Sequence, residues 1–341
     1  FMLPSQLKGF GDSLVAVALF VSNIHFWLGS GYFAIGQAEN PLLHTWSLAV
    51  EEQFYIFFPL FLLMFWRLGL RRLIILLLII FLISFSIANW ASFFGWHQKI
   101  ASGGFFLIPT RAWELLIGSF LALYLKFYGN RVSNYWGELL SFTGLMLIIV
   151  SIVFIDRTTP FPSIYTLAPV LGTGLLILST SDTIVQKFLS LPMVVGLGLI
   201  SYSAYLWHQP VFAFVHIIGI PSSSLLYFAL ILISIFLAYI SWRFVEKPFR
   251  SRSIMSKKVI FTFSALGISF FVSIGILFSS SNGFADRSPS YVEIKQELDW
   301  PDTYNRTEEC LNLYGGDQYC LISDIRRAVS YTHLLPTNHP V

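Results

Sequence analysis

The stretch Leu42–Leu60, LLHTWSLAVEEQFYIFFPL, carries two opposed signals. Its second half is bulky and apolar, as a membrane span is. Its first half holds a histidine, a serine, two adjacent glutamates and a glutamine. On a helix starting near His44, Ser47 lies at about 300°, Glu51 at about 340° and Tyr55 at about 20° from it. These four residues share one face. Glu52 stands just off its edge, and Trp46 and Val50 point roughly opposite. One ionised carboxylate turned to lipid costs about 2.5–3.5 kcal/mol by insertion scales, and two are prohibitive. The polar face must look into a helix bundle or a wet cavity.

Composition agrees. The chain has 341 residues, of which 55% are hydrophobic and 11% charged, with 34 Phe and 10 Trp. Soluble domains carry about 25% charged residues. A net charge of +3 without a basic, aromatic-interleaved patch excludes a nucleic-acid partner. The fold class is all-α: a polytopic transmembrane helical bundle. Apolar runs of about 20 residues predict nine spans, at 10–28, 44–66, 72–94, 105–125, 137–155, 162–180, 194–217, 224–244 and 259–279. The first and the sixth are interrupted by polar residues or proline.

With the start of the chain inside, the inside segments hold thirteen Lys and Arg, and the short outside loops only Lys99 and Arg157. That asymmetry follows the positive-inside rule and puts everything after about Ser279 outside. A boundary at Ser279–Ser290, SSSNGFADRSPS, separates a membrane domain (1–280) from an exported tail (281–341). The tail holds both cysteines, Cys310 and Cys320, and an even pair on the non-cytoplasmic side suggests a disulfide. Phe1 is not a start residue, and the closing VSYTHLLPTNHPV continues no visible domain plan. A fragment with foreign terminal residues is expected.

Two further segments carry ionisable groups to the depth of Glu51. PTRAWELLIG puts Arg111 and Glu114 at i and i+3, hence side by side. SYSAYLWHQP puts Ser201, Tyr205 and His208 on one face, with a kink expected at Pro210. One polar cavity open to the outside is the simplest arrangement. Each group also has a plainer reading: Arg111 with Glu114 as a structural pair, His208 as a link between helices, Ser47 as a packing hydroxyl. Asp12 is expected near the inner interface, His25 near the outer one, and RFVEKPFR (Arg243–Arg250) as a helix end anchored at the headgroups.

Chemistry alone leaves two classes. His, Glu and Arg around a cavity could bind ions or relay protons in a transporter. The same groups could deprotonate a hydroxyl and stabilise an oxyanion in acyl transfer. No His-x-x-x-His pair, Gly-rich phosphate loop or nucleophile elbow occurs, so neither a metal centre nor a nucleotide-driven pump is expected.

HTWSLAVEEQFYIFFPL resembles the signature of the acyltransferase 3 family, bacterial integral-membrane O-acyltransferases of surface glycans. LIPTRAWELLIG (Leu107–Gly118), LGLISYSAYLWHQPVFAF (Leu197–Phe214) and RFVEKPFR follow in the order that family shows, so the resemblance covers roughly Leu3 to Phe278. It implies transfer of an acyl group, commonly acetyl, from cytoplasmic acyl-CoA to a sugar hydroxyl of lipopolysaccharide O-antigen, peptidoglycan or another exported glycan. It also implies a multi-pass protein of the bacterial inner membrane with a periplasmic tail. Family members begin with further helices bearing a histidine proposed as catalytic base, and those segments are missing from this sequence. The tail resembles the linker into an exported SGNH-type domain. On this reading His44, Glu51 and Glu52 line the acceptor pocket, and Arg111 offsets them or stabilises developing negative charge. Glu114 holds the guanidinium, Tyr205 and His208 form the opposite wall, and Trp46 and Ser47 are candidate substrate contacts.

Overall fold

A computed structural model describes residues 2–30, 40–94, 98–129, 132–156, 158–179, 182–221, 223–250 and 255–287. Among these residues all regular structure is helical. The helices are α1 (Pro4–Ala18), α2 (Ser22–Gly29), α3 (Trp46–Phe65), α4 (Leu70–Phe94), α5 (Gln98–Phe106), α6 (Ile108–Tyr128) and α7 (Asn134–Phe154). They continue with α8 (Leu167–Leu178), α9 (Ile184–Leu189), α10 (Pro192–Ile218), α11 (Ser224–Ser241), α12 (Lys247–Arg250) and α13 (Lys257–Ser280). The chain divides after Phe284, and beyond that point only the 3-10 turn Ala285–Arg287 is described. The cysteine pair Cys310 and Cys320 lies outside the described residues.

Among the described residues, six helices are long and apolar enough to cross a membrane: Leu43–Leu68, Leu70–Phe94, Ile100–Tyr128, Tyr135–Phe154, Ser224–Arg250 and Lys257–Ser280. This is a multi-pass membrane protein, but the nine expected spans are not all present as such. The run 10–28 breaks into α1 and α2, because Phe20 takes a left-handed conformation (φ 57°) and reverses the chain. Asp12 then lies within electrostatic reach of His25, so the two do not sit at opposite interfaces. The run 162–180 yields only a short apolar helix, Ile164–Leu178. The run 194–217 forms α10, whose 27 residues reach about 40 Å, although its polar side chains lower its hydropathy. RFVEKPFR does not end a helix at Pro248. A π-helical turn, Trp242–Glu246, carries the chain from α11 into α12, and its wider ladder gives room for a residue that lacks an N–H.

Packing follows small residues. α1 lies along α13, α7 along α8, α10 along α11 and α4 along α6. A Cβ on Gly11 would meet the Gly275 carbonyl at 2.8 Å, and one on Gly144 would meet that of Gly172 at 2.6 Å. Helices in lipid gain little from burying apolar surface, so close backbone approach supplies the contact. The α1–α13 pair also brings Lys8 Nζ to Asn282 Oδ1 at 3.1 Å. The beginning of α1 and the end of α13 are therefore on one side, which contradicts the expectation that the chain starts inside and its tail begins outside.

The core that positions the site lies among α3, α4 and α6. Leu73, Leu77 and Leu116 are its buried centre, packed by Phe54, Phe58 and Phe61 of α3. Trp113 is fully buried beside Phe81 and Phe85, and its backbone N–H donates to Ser84 Oγ at 3.1 Å. These contacts set the register of α6 against α4 and α3.

Candidate functional site

His44 is not on α3. It occupies a 3-10 turn, Leu43–Thr45, that leads into the helix, and a turn of three residues does not carry the angular step of an α-helix. The residues before and after this turn are tied down separately. Asn40 Oδ1 accepts from the Leu42 N–H at 2.9 Å, and its amide donates to Ser13 Oγ at 3.2 Å. Ser22 Oγ donates to the Thr45 carbonyl at 3.0 Å. Two turns further along α3, the amides of Asn23 and Gln53 exchange hydrogen bonds at 3.3 and 2.9 Å. The α1–α2 hairpin thus clamps the entry of α3.

His44 is buried and meets α10. Its ring packs edge-on against Tyr205 at 5.1 Å and His208 at 5.3 Å between centroids. The Tyr205 hydroxyl donates to the His44 carbonyl and shares a 2.6 Å hydrogen bond with Ser47 Oγ. Both ring nitrogens of His44 are buried without a partner in hydrogen-bond geometry, though the Pro41 carbonyl lies near. His208 Nδ1 sits 2.6 Å from the Tyr205 carbonyl. A carbonyl only accepts, so this contact assigns a proton to Nδ1, and in the neutral tautomer it leaves Nε2 as the acceptor nitrogen. Ser201, expected on the same face, is exposed and donates to the Gly198 carbonyl instead.

On the other side of Ser47 lies a cavity of about 50 Å³ lined by Trp46, Ser47, Val50, Glu51, Arg111, Glu114 and Leu115. Arg111 Nη2 pairs with Glu114 Oε2 at 2.9 Å. The guanidinium also stands over the rings of Trp46 and Phe161, at 5.4 and 4.8 Å, the geometry of cation–π attraction. Arg111 Nη1 and Glu114 Oε1 are buried without hydrogen-bond partners. Among the described residues no group of three or more His, Cys, Asp or Glu could hold a metal ion.

Most of the expected site residues come together, but not as one wall facing another. Trp46 and Val50 belong with Ser47 and Glu51, because α6 packs beside α3 across a broad arc rather than a narrow stripe. Glu52 is exposed and Tyr55 is 59% exposed. Glu52 turns toward α10, where Tyr202 is within electrostatic reach of Glu51, Glu52 and Glu246. Two residues, Phe161 and Ser203, escaped the sequence reading. Phe161 comes from the loop before α8, held by Ser92 Oγ donating to the Pro162 carbonyl (2.6 Å) and the Ile164 N–H donating to Asn89 Oδ1 (2.8 Å). Nothing local in the sequence marks it. Ser203, fully buried, donates to Glu246 Oε2 at 2.9 Å, and Glu246 also pairs with Arg250 at 3.1 Å. The RFVEKPFR motif did flag Glu246, but as part of a surface anchor.

The model of the family described as an acyltransferase domain, acyltransferase 3, matches residues 8–243, well over half of the chain. The chain belongs to the acyltransferase 3 family. Among curated relatives of this acyltransferase 3 chain, an uncharacterized Haemophilus influenzae protein is 33% identical over 48% of the chain and 68% of its own length. A Staphylococcus aureus protein (strain COL) titled "Putative O-acetyltransferase" is 31% identical over 71% of the chain and 41% of its own length. The peptidoglycan O-acetyltransferase OatA of Listeria monocytogenes is 28% identical over 75% of the chain. The chain spans 43% of that protein's length. No solved structure matches the chain significantly.

Proposed function

We infer that this acyltransferase 3 chain is the membrane part of an O-acyltransferase that moves an acyl group, acetyl in the first instance, from acyl-CoA to a hydroxyl of an exported glycan. The observation that carries this reading is the cavity where Glu51, Glu114 and Arg111 meet, joined through Ser47 to His44, Tyr205 and His208. Acyl transfer to a hydroxyl needs a base for the proton and a positive donor for the carbonyl oxygen as it becomes an oxyanion. Glu51 or the Nε2 of His208 supplies the first, and Arg111 the second. Glu114 holds Arg111, and Trp46 closes the cavity above it. The exposed Glu52 serves the approach of the acceptor rather than the chemistry.

The relatives named as O-acetyltransferases support the acyl group, and the Listeria protein, named for peptidoglycan, supports a glycan of the cell envelope. Peptidoglycan and lipopolysaccharide O-antigen are the candidate acceptors. The lipid bilayer is the remaining partner: the protein resides in the bacterial inner membrane, with its tail on the periplasmic side leading into a further exported domain.

The test is transfer of radiolabelled acetyl from acetyl-CoA to glycan in membranes containing the protein. Label on glycan is expected. Glu51→Gln should lower it at least a hundredfold at unchanged abundance, since general-base contributions run about 10²–10⁴, whereas Glu52→Gln should keep most of it. Proton-coupled solute uptake without labelled glycan would instead make the cavity a transporter's. Full transfer by Glu51→Gln would remove Glu51 from the chemistry.

A further inference from the structure

Arg111 is only partly satisfied by its ion partner. Nη2 pairs with Glu114 at 2.9 Å, but Nη1 is buried without a hydrogen-bond acceptor, a costly state for a buried cation. What the guanidinium meets instead is aromatic. Its Cζ stands 5.4 Å from the centroid of the Trp46 ring and 4.8 Å from that of Phe161. Both lie within the reach of about 6 Å over which a ring's negative face attracts a cation, and the attraction grows where water is excluded. The two rings arrive by different routes. Trp46 opens α3, whereas Phe161 comes from the loop between α7 and α8. That loop is pinned immediately beside the ring. Pro162 and Ser163 are fully buried, the Pro162 carbonyl accepts from Ser92 Oγ at 2.6 Å, and the Ile164 N–H donates to Asn89 Oδ1 at 2.8 Å. Phe105 braces both rings, with centroids 5.7 Å from Phe161 and 4.5 Å from Trp46. Phe161 itself stays 39% exposed, so filling a core does not explain why its neighbours are fixed so tightly. Contact with the cation does.

We propose that Phe161 is a positioning residue of the acyltransferase: held by its pinned loop, its ring fixes the Arg111 guanidinium in the orientation that meets negative charge developing during transfer. The proposal rests on the acyl-transfer reading above and deepens it. The ion pair with Glu114 restrains one nitrogen of the guanidinium, and a single such contact leaves the plane free to turn about it. The ring face removes that freedom. A donor fixed before the reaction costs no reorganisation when the oxyanion forms. The ring acts through Arg111, not on the reacting atoms.

To test this, Phe161 is replaced by nonsense suppression with mono-, di- and trifluorinated phenylalanine, which withdraw negative charge from the ring face while nearly keeping its shape. Transfer from labelled acetyl-CoA to glycan is measured in membranes at matched abundance, beside Phe161→Tyr and Phe161→Leu. kcat should fall stepwise with fluorine number, by roughly 3- to 30-fold across the series, the range that ring–cation attraction spans. KM for acetyl-CoA should hold, because the charge that Arg111 meets appears only in the transition state. Phe161→Tyr, which keeps the ring, should retain transfer, and Phe161→Leu should fall with the trifluorinated protein. A second measurement needs no activity. Thermal midpoints of the detergent-solubilised protein should fall along the same series, and the trend should vanish in the Arg111→Met, Glu114→Leu background. A flat fluorination series in kcat would overturn the proposal whatever Phe161→Leu does, since it reduces the ring to a space filler. So would a midpoint trend that persists without Arg111. Wild-type membranes that label no glycan would be a different failure, that of the acyl-transfer reading and of any role in transfer with it, and the midpoint series would then decide whether the ring holds the cation.

Discussion

Arg111 stands over the rings of Trp46 and Phe161, with Glu114 as its ion partner and side-chain exposures of 15% and 17% for the pair. Removing one member leaves a charge in a low-dielectric bundle, at a cost of about 3–5 kcal/mol. That is a large share of a marginal stability. Arg111→Met or Glu114→Leu alone should therefore deplete the protein from the membrane. The double variant should restore abundance, because two apolar groups of similar volume replace a neutralised pair. Glycan acylation should stay absent, since no apolar group stabilises an oxyanion. Immunoblot and acylation measured on the same membranes separate the outcomes. Recovered acylation in the double variant would reduce the pair to scaffolding and leave His44, Glu51 and His208 as the remaining candidates.

At the scale of elements, close helix pairs place the site's outlying residue. α8 follows the loop that brings Phe161 over Arg111, and α8 is seated on α7 through Gly144 and Gly172. A Cβ on Gly172 would meet the Gly144 carbonyl at 2.8 Å, a backbone atom that cannot turn aside. Gly172→Leu should push the two helices apart and cost about 1–3 kcal/mol, the usual penalty of overpacking. Gly196→Leu on α10 is the control, because nothing lies within 4 Å of its Cβ. Thermal unfolding of the detergent-solubilised protein should show a lowered midpoint for Gly172→Leu and a near-native one for Gly196→Leu. Equal midpoints would show that α7 and α8 tolerate separation.

At the scale of the whole molecule, the hairpin of α1 and α2 changes the topology without changing the sidedness of the rest. If α8 and α10 cross together with the six long apolar helices, the start of α3 and the end of α13 share one face. The contact between Lys8 and Asn282 puts the start of α1 there as well. With the tail outside, as proposed, the charge asymmetry would survive with Lys8 moved to the outside. Membrane-impermeant thiol labelling of reduced, intact spheroplasts should reach Cys310 and Cys320. In a variant whose two native cysteines are changed to serine, Lys8→Cys should be reached as well. Labelling of Lys8→Cys only after lysis would restore a first span and refute the hairpin arrangement.

Much of this was open to inspection in the residues alone. A chain with 55% hydrophobic and 11% charged residues can only be a membrane bundle, because it has too little polar surface to cover a soluble domain. The i, i+3 spacing of Arg111 and Glu114 ensures their pairing on any helix, since that geometry is local. The motif order from His44 to Arg250 carried the family. Other features depended on which helices became neighbours. The reversal at Phe20 cannot be told from a span by composition, because an apolar hairpin and an apolar crossing draw on the same residues. His44 does not share the angular step of α3 because it sits in a 3-10 turn before the helix, and Trp46 and Val50 join the cavity because α6 packs on that side. Phe161 reaches Arg111 only through two hydrogen bonds to α4, about 70 residues away in sequence. Local spacing determines which side chains a helix presents together. Only the packed tertiary structure decides what they face, because that is settled by backbone approach and hydrogen bonds between segments far apart in the chain.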